Sequence, residues 1–469
     1  MGGASTISFS RPASAGTQTG YATVTVQAGR VPSGTAVFRL EQEGVVVSEA
    51  GVPAVSATRS ARLFMDYGLK VNSVPPAPGA ATVDVYTGLA VANPGTASAS
   101  MVLTLRDMQG RILTSGRGTL ASGAHFARFL HQLQEVAPDF RLPSDFPTAL
   151  RFGTLDVASS QPLSVLGLRM TVNQRANLLF TSLPVADLET APGKAPLYFP
   201  QLADGDGYTT TFILINGTEN EENGWVRFYD DEGVPLSLAI AGGASASAFR
   251  YSVPPNGIFR LQTDGSRTAA QVGSAQLLPD AGTATPAAAG LFSRSIRGIL
   301  QTESGIAATT PIQRARMYID LSGSHDSGLA LAQTKGGSQA VTLRAYLADG
   351  KTEAGSGPAT VTLAGNGHKA AFVRQLVQGL PSGFRGVLDI SSSSPFAALT
   401  LRSLQNSRGD FLLTAFPLAD QERVTTAMPV FPQIAAGGGY LTEFLLLSQG
   451  AESTSVLSLF DDKGVPLPF

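Results

Sequence analysis

Four histidines, His125, His131, His325 and His368, are the first side chains in this chain that could do acid–base or metal chemistry. His125 and His368 recur in register, each close behind a Gly. Neither sits in HExxH or in a carboxylate–His spacing, so a turn or the start of a helix is the expected role. Asp204 and Asp206 in ADGDGY have the look of a calcium loop. The same place later in the chain reads AAGGGY, which favours a surface turn over a metal site. Asp230, Asp231 and Glu232 form an acidic cluster that could do glycosidase work. Gly233 follows directly, and a hairpin turn explains the cluster. Trp225, the only Trp, is expected in a core. Asn216-Gly-Thr fits a glycosylation sequon, and neither Gly-rich run carries the Lys-Ser/Thr of a phosphate loop. With no Cys there is no thiolate nucleophile, disulfide or zinc–sulfur site. The expectation is a protein without catalytic residues and without a cofactor.

Composition agrees. Charged residues make up 14%, against ~25% in an average soluble protein, and Gly, Ala, Ser and Thr fill the difference. The formal charge of −2 and the six Lys among 33 basic residues argue against nucleic-acid tracking. No apolar run approaches the ~18 residues of a membrane-spanning helix. The opening MGGASTISFS lacks the basic end and apolar stretch of a signal peptide. A trimmed or mature end of a secreted or cell-surface protein is expected.

The elements that must hold these residues come from an internal repeat. GTLDVASSQPLSVLGLR returns as GVLDISSSSPFAALTLR, pairing Asp156 with Asp389 and Arg169 with Arg402. FPQLADGDGY and VRFYDDEGVPL return as FPQIAAGGGY and LSLFDDKGVPL. SEAGVPA with SARLFMDY returns as TESGIAA with RARMYIDL, pairing Arg62 with Arg316 and Asp66 with Asp320. Short alternating runs bounded by Gly, Pro, Asn and Asp predict antiparallel β-sandwiches of Ig-like type. In SARLFMDY, Leu63, Met65 and Tyr67 share one face, with Arg62, Phe64 and Asp66 on the other. Leu166 and Leu168, like Leu399 and Leu401, are expected in a core, with Arg–Asp pairs bracing the sandwich. Phe126, Phe129, Leu130 and Leu133 follow helical spacing, as do Phe372, Val373 and Leu376, so each of two modules should carry one short helix.

The units read as an opening half-sandwich (1–72), a Pro-rich linker (73–85), a helix-bearing sandwich (86–189), a central fused sandwich (190–325), a second helix-bearing sandwich (326–422) and a closing half (423–469). The two terminal halves correspond to the two parts of the central unit. Each alone exposes an apolar face and strand edges. Head-to-tail pairing between copies of the chain would complete them and propagate a filament. The residues expected to carry that contact are Ile7, Phe9, Val24 and Val26 at one end. At the other they are Phe444, Leu446, Val456, Leu457, Leu459, Val465, Leu467 and Phe469. Closure of the chain on itself, and a monomeric adhesin or carbohydrate-binding protein, are the alternatives.

The runs TGLAVANPGT, LASGAHFARFLHQL, SVLGLR and SGTAVF with VVVSEAGVPA resemble a class of uncharacterised secreted bacterial β-sandwich repeats found in large surface proteins. The resemblance covers nearly the whole chain. It implies export and a structural or adhesive role, and it carries over no catalytic residue. Members of that class continue past the GVPL hairpin into further strands.

Overall fold

The computed structural model describes residues 2–12, 14–71, 82–146, 151–423, 425–449 and 452–468. The Pro-rich SVPPAPGA segment lies outside them. The described residues are mostly antiparallel strand, with one 3-10 turn at Leu130–Glu135 and one α turn at Val373–Leu376 among them. These helices are shorter than the apolar spacing suggests. Phe126 and Phe129 belong to strand His125–Phe129, which hydrogen-bonds along Val83–Ala92, so the helix begins only at Leu130.

The central sandwich has two four-stranded sheets. One runs Leu197–Asp204, Gln271–Pro279, Glu222–Tyr229, Ala248–Val253. The other runs Ile258–Gln262, Tyr208–Ile215, Ala287–Ile296, Ile299–Ala307. The two ends of the chain form a matching sandwich, sheet for sheet. Its first sheet runs Val430–Ala436, Gln18–Gly29, Ser453–Asp461, Pro466–Leu467. Its second runs Ala4–Ser10, Tyr440–Leu447, Ser33–Gln42, Val45–Pro53. The closing strands therefore complete the chain's own opening half. Phe444 sits opposite Ile7 on one side and Ala36 on the other, and Leu457 opposite Val24. The pairing expected between copies of the chain is thus made here within one chain. The repeat specifies which halves are complementary but not which copy supplies them. Phe444, Leu446, Leu457, Leu459, Phe9 and Val24 are buried in this intrachain core. Val26 and Ile7 lie nearer solvent, and Val456 and Val465 are exposed. Phe469 is outside the described residues.

The unit boundaries shift: strand Val83–Ala92 starts inside the expected linker and pairs with Gly68–Val71. Thr58–Asp66 and Ile312–Asp320 pair with the 21-residue strands Phe152–Val172 and Arg385–Gln405, so they belong to the helix-bearing modules. The face assignment there holds: Leu63, Met65 and Tyr67 enter the first module's core, and Met317, Ile319 and Leu321 the second's.

The four sandwiches pack in a closed cycle through two kinds of junction, each used twice. Phe64 and Leu183 of the first module meet Ile213, Ile215 and Ala289 of the central sandwich. Tyr318 and Phe416 of the second meet Val37, Leu445 and Leu447 of the terminal one. The other junction uses the leucines read as module core. Leu166 packs into the terminal sandwich and Leu399 into the central sandwich, while Leu168 and Leu401 lie half-buried at their margins. The alternation was right, but both faces of these long strands are covered, each by a different unit. On the pseudo-twofold axis, Val45–Pro53, Leu178–Leu183, Ile299–Ala307 and Phe411–Phe416 converge. Side-chain hydroxyls tie them: Phe180 N–H donates to Ser48 Oγ at 2.8 Å and Ala415 N–H to Ser304 Oγ at 3.0 Å. Gly51 and Gly305 permit the approach, because a Cβ on either would collide with the carbonyl of Ala415 or Ser182.

Candidate functional site

The charged residues that recur in both halves gather at the junctions. Arg62 bridges Asp156 at 2.6 Å and donates to the Asn216 carbonyl of the central sandwich at 2.6 Å. Arg316 repeats this with Asp389 at 2.5 Å and Ser448 Oγ at 2.8 Å. Arg169 joins Asp66 at 3.0 Å and also Glu303 of the central sandwich. Arg402 joins Glu49 at 3.2 Å, Glu443 at 3.4 Å and Asp320 at 3.6 Å. The Arg–Asp pairs thus brace the sandwiches as expected, and each arginine additionally reaches into the next unit.

The two acidic turns do more than turn. Asp230 and Asp461 each accept the backbone N–H four residues on, from Val234 and Val465, at 2.8 Å, which shapes the hairpin. The second aspartate points away into the neighbouring module. Asp231 Oδ1 lies 2.7 Å from His368 Nδ1, and Asp462 Oδ1 lies 2.9 Å from His125 Nδ1. In each case the Asp carbonyl also accepts the histidine's backbone N–H, at 3.2 and 3.0 Å. Gly233 and Gly464, at φ +81° and +79°, let the turn seat on the glycine-rich loop ahead of each histidine. These two clasps were missed in the sequence because their partners lie 137 and 337 residues apart. The joint recurrence of His125/His368 and Asp231/Asp462 in both repeats was the signal that could have found them.

An imidazole held by a carboxylate is two-thirds of a hydrolytic triad. Here the other ring nitrogen of His368 faces Gln201 Oε1 at 2.8 Å, and His125 Nε2 is buried without a hydrogen bond. Among the described residues no hydroxyl is hydrogen-bonded to either Nε2, and both imidazoles are buried, so the clasps act as ties. The histidine hydrogen bond holds each aspartate below the usual carboxylate range, against the opposing effect of burial. A depressed carboxylate stabilises the fold above its unfolded value near pH 4, and that contribution is lost as pH falls through the folded value. Asp231→Asn with Asp462→Asn is expected to cost about 1 kcal/mol per clasp at pH 7. The difference from wild type should shrink as pH falls below the unfolded value and through the folded one, read by urea unfolding across an acid titration.

The remaining sequence candidates disperse. Asp204 is fully buried and accepts the Gly265 N–H at 2.9 Å, and burial pushes its pKa up. Asp206 is exposed and faces Arg294 at 3.3 Å. The two carboxylates serve different partners, and among the described residues no three His, Cys, Asp or Glu side chains gather as metal ligands. Trp225, expected in a core, is 37% exposed on an outward strand face under Arg250. Asn216 is buried, with Nδ2 donating to the Val253 carbonyl at 3.0 Å, so the sequon is not presented to solvent. His131 Nδ1 meets the Tyr67 hydroxyl at 3.1 Å.

Beside each clasp lies an apolar cleft between a helix-bearing module and the sandwich it clasps. The volumes are about 200 Å³ at the terminal sandwich and about 380 Å³ at the central one. A larger cavity of about 600 Å³ lies on the pseudo-twofold axis, lined by Leu166 and Leu399, Leu183 and Phe416, Pro184 and Pro417. Among the described residues no helix is long and apolar enough to cross a membrane.

No family model matches the chain, and no curated protein matches it. Among solved structures, that of infectious bursal disease virus Gx strain aligns at 8% identity over 94% of this chain and 83% of the other, with a TM-score of 0.13. The exo-inulinase from Aspergillus awamori aligns at 10% identity over 90% and 97%, with a TM-score of 0.12. Likeness at that level carries no argument about fold or function.

Proposed function

We propose that this chain is a non-enzymatic, secreted binding protein of the adhesin or carbohydrate-binding type, acting as a closed monomer. The observation that carries the reading is the placement of strand Tyr440–Leu447 between Ala4–Ser10 and Ser33–Gln42 of the same chain. A head-to-tail polymer would use these same contacts with the closing strands exchanged between copies. Whether it propagates depends on the rotation from unit to unit. Here four sandwiches return to their starting point within one chain, which supports the monomer over the polymer. The recurrent ionisable groups are consumed by the junctions, and the two clefts beside the clasps are largely apolar, which suits binding.

Light scattering on the eluting protein, with negative-stain microscopy of the same fraction, tests the reading. The expected result is a single 48.6 kDa species seen as compact particles. Filaments or a concentration-dependent ladder of masses would return the closing strands to a neighbouring chain.

A further inference from the structure

We infer that the two clefts beside the clasps are equivalent binding sites for an uncharged saccharide, giving the monomer two sites for one class of ligand. The inference rests on the binding reading above and names its ligand class. The clefts occupy the same place in the two halves. Phe129, Tyr440, Gln132 and Gln433 line one, and Phe372, Tyr208, Gln375 and Gln201 line the other. Leu89, Leu168 and Phe38 in the first match Leu329, Leu401 and Phe292 in the second. Other aligned positions have diverged: Trp225 aligns with Val456, and Asp204 with Ala436.

The glycine beneath each cleft is the second observation. Gly88 and Gly328 sit inside strands Val83–Ala92 and His325–Gln333 at negative φ, where glycine weakens a strand. Neither is required by close packing. A Cβ on Gly88 would meet nothing nearer than Phe129 at 3.5 Å, and one on Gly328 nothing nearer than the Leu401 carbonyl at 3.4 Å. Both halves nevertheless keep glycine, each paired across the sheet with a phenylalanine, Phe129 or Phe372. The bare backbone leaves room for each half-exposed ring over the sheet, on the floor of an open cleft.

The chemistry of the lining selects the ligand. No carboxylate lines either cleft, and Arg128, the one cation, is engaged by Glu135 at 2.7 Å. A charged ligand would lose its hydration without gaining a partner. What remains is a set of aromatic surfaces rimmed by a tyrosine hydroxyl and by Gln132, Gln375 and Gln201. The Oε1 atoms of these glutamines are held by Phe129 N–H, Phe372 N–H and His368, and their Nε2 groups are left to donate. A molecule with an apolar face and hydroxyls around its edge, such as a neutral pyranose, meets both.

The test is an array of neutral oligosaccharides (glucans, mannans, galactans, chitin fragments) alongside charged glycans and uncharged peptides, followed by calorimetry on the strongest neutral hit. The expected stoichiometry is two per chain, falling to one in Phe129→Ala or in Phe372→Ala and to none in the double variant. Gly88→Ala with Gly328→Ala should fold at least as well as wild type, by thermal unfolding, yet bind roughly tenfold more weakly, because each places a methyl on a cleft floor. Capture of charged glycans or peptides alone, no neutral glycan retained, or a neutral glycan bound equally well by the double phenylalanine variant would overturn the inference. A polymeric mass in solution would overturn the monomer reading and leave this result intact, so the two failures are distinguishable.

Discussion

Deleting Ser453 to Phe469 is expected to convert a soluble monomer into an unfolded or aggregating chain. Strand Ser453–Asp461 runs along Gly20–Gly29 and delivers Leu457 and Leu459 to the terminal core. Losing two buried leucines costs about 4–10 kcal/mol on the large-to-small scale. A domain's whole stability is only about 5–15 kcal/mol. The deletion also bares one edge of Gln18–Gly29, an invitation to pair with another chain. Had the closing strands served a neighbour, the same deletion would leave well-behaved monomers. The two outcomes are opposite in gel filtration. A milder probe is Phe444→Ala. Its ring is fully buried against Phe431 at 5.1 Å between centroids, and its loss should cost about 3–5 kcal/mol in urea unfolding, with protease cleavage appearing first between residues 18 and 42.

Much of this architecture is legible in the sequence, and the parts that are not share a cause. Alternation in SARLFMDY gives both faces correctly, and the repeat identifies the terminal halves as the two parts of the central sandwich. Alternation cannot say what covers a face. Leu166 and Leu399 are buried as expected, yet against the neighbouring sandwich. Register within a repeat likewise cannot say which copy a half joins. That is a matter of how whole units sit on one another, which no local pattern encodes. The clasps fall in the same class. His125 and Asp462 are each explicable as turn residues, and only their meeting across the chain gives them a joint role. Trp225 was misplaced because a lone tryptophan is usually core. Its neighbours Val226 and Phe228 fill that core, and strand alternation sets Trp225 outward.

The tie where both ends of the chain meet the rest is Arg402, and its removal should show how far charge rather than packing holds the cycle shut. The guanidinium is 3% exposed, lies against the Phe416 ring at 5.1 Å, and faces three carboxylates from three segments. Glu49 comes from the opening strands, Glu443 from the closing strands and Asp320 from the second module. Burial pushes the Glu49 pKa up, but Arg402 and then His325 outweigh it and hold the carboxyl below its usual range. Asp320 is held down, against burial, by Ser322, His325 and Arg402. Arg402→Met keeps the volume and removes the charge, leaving buried carboxylates uncompensated at a cost of about 3–5 kcal/mol at pH 7. The sign with pH follows. In wild type the depressed carboxylates stabilise the fold above their unfolded values, a contribution lost on acidification. In the variant, burial is opposed at Glu49 only by His325 and Arg39, so its pKa rises, the group protonates more readily as pH falls and the penalty relaxes. The gap between variant and wild type should therefore be widest at pH 7 and narrow by pH 4.5, with Glu49→Gln in the same chain recovering part of the loss at neutral pH. A gap independent of pH would mean that Arg402 acts through packing on Phe416, and that the ends of the chain are held by their shared core alone.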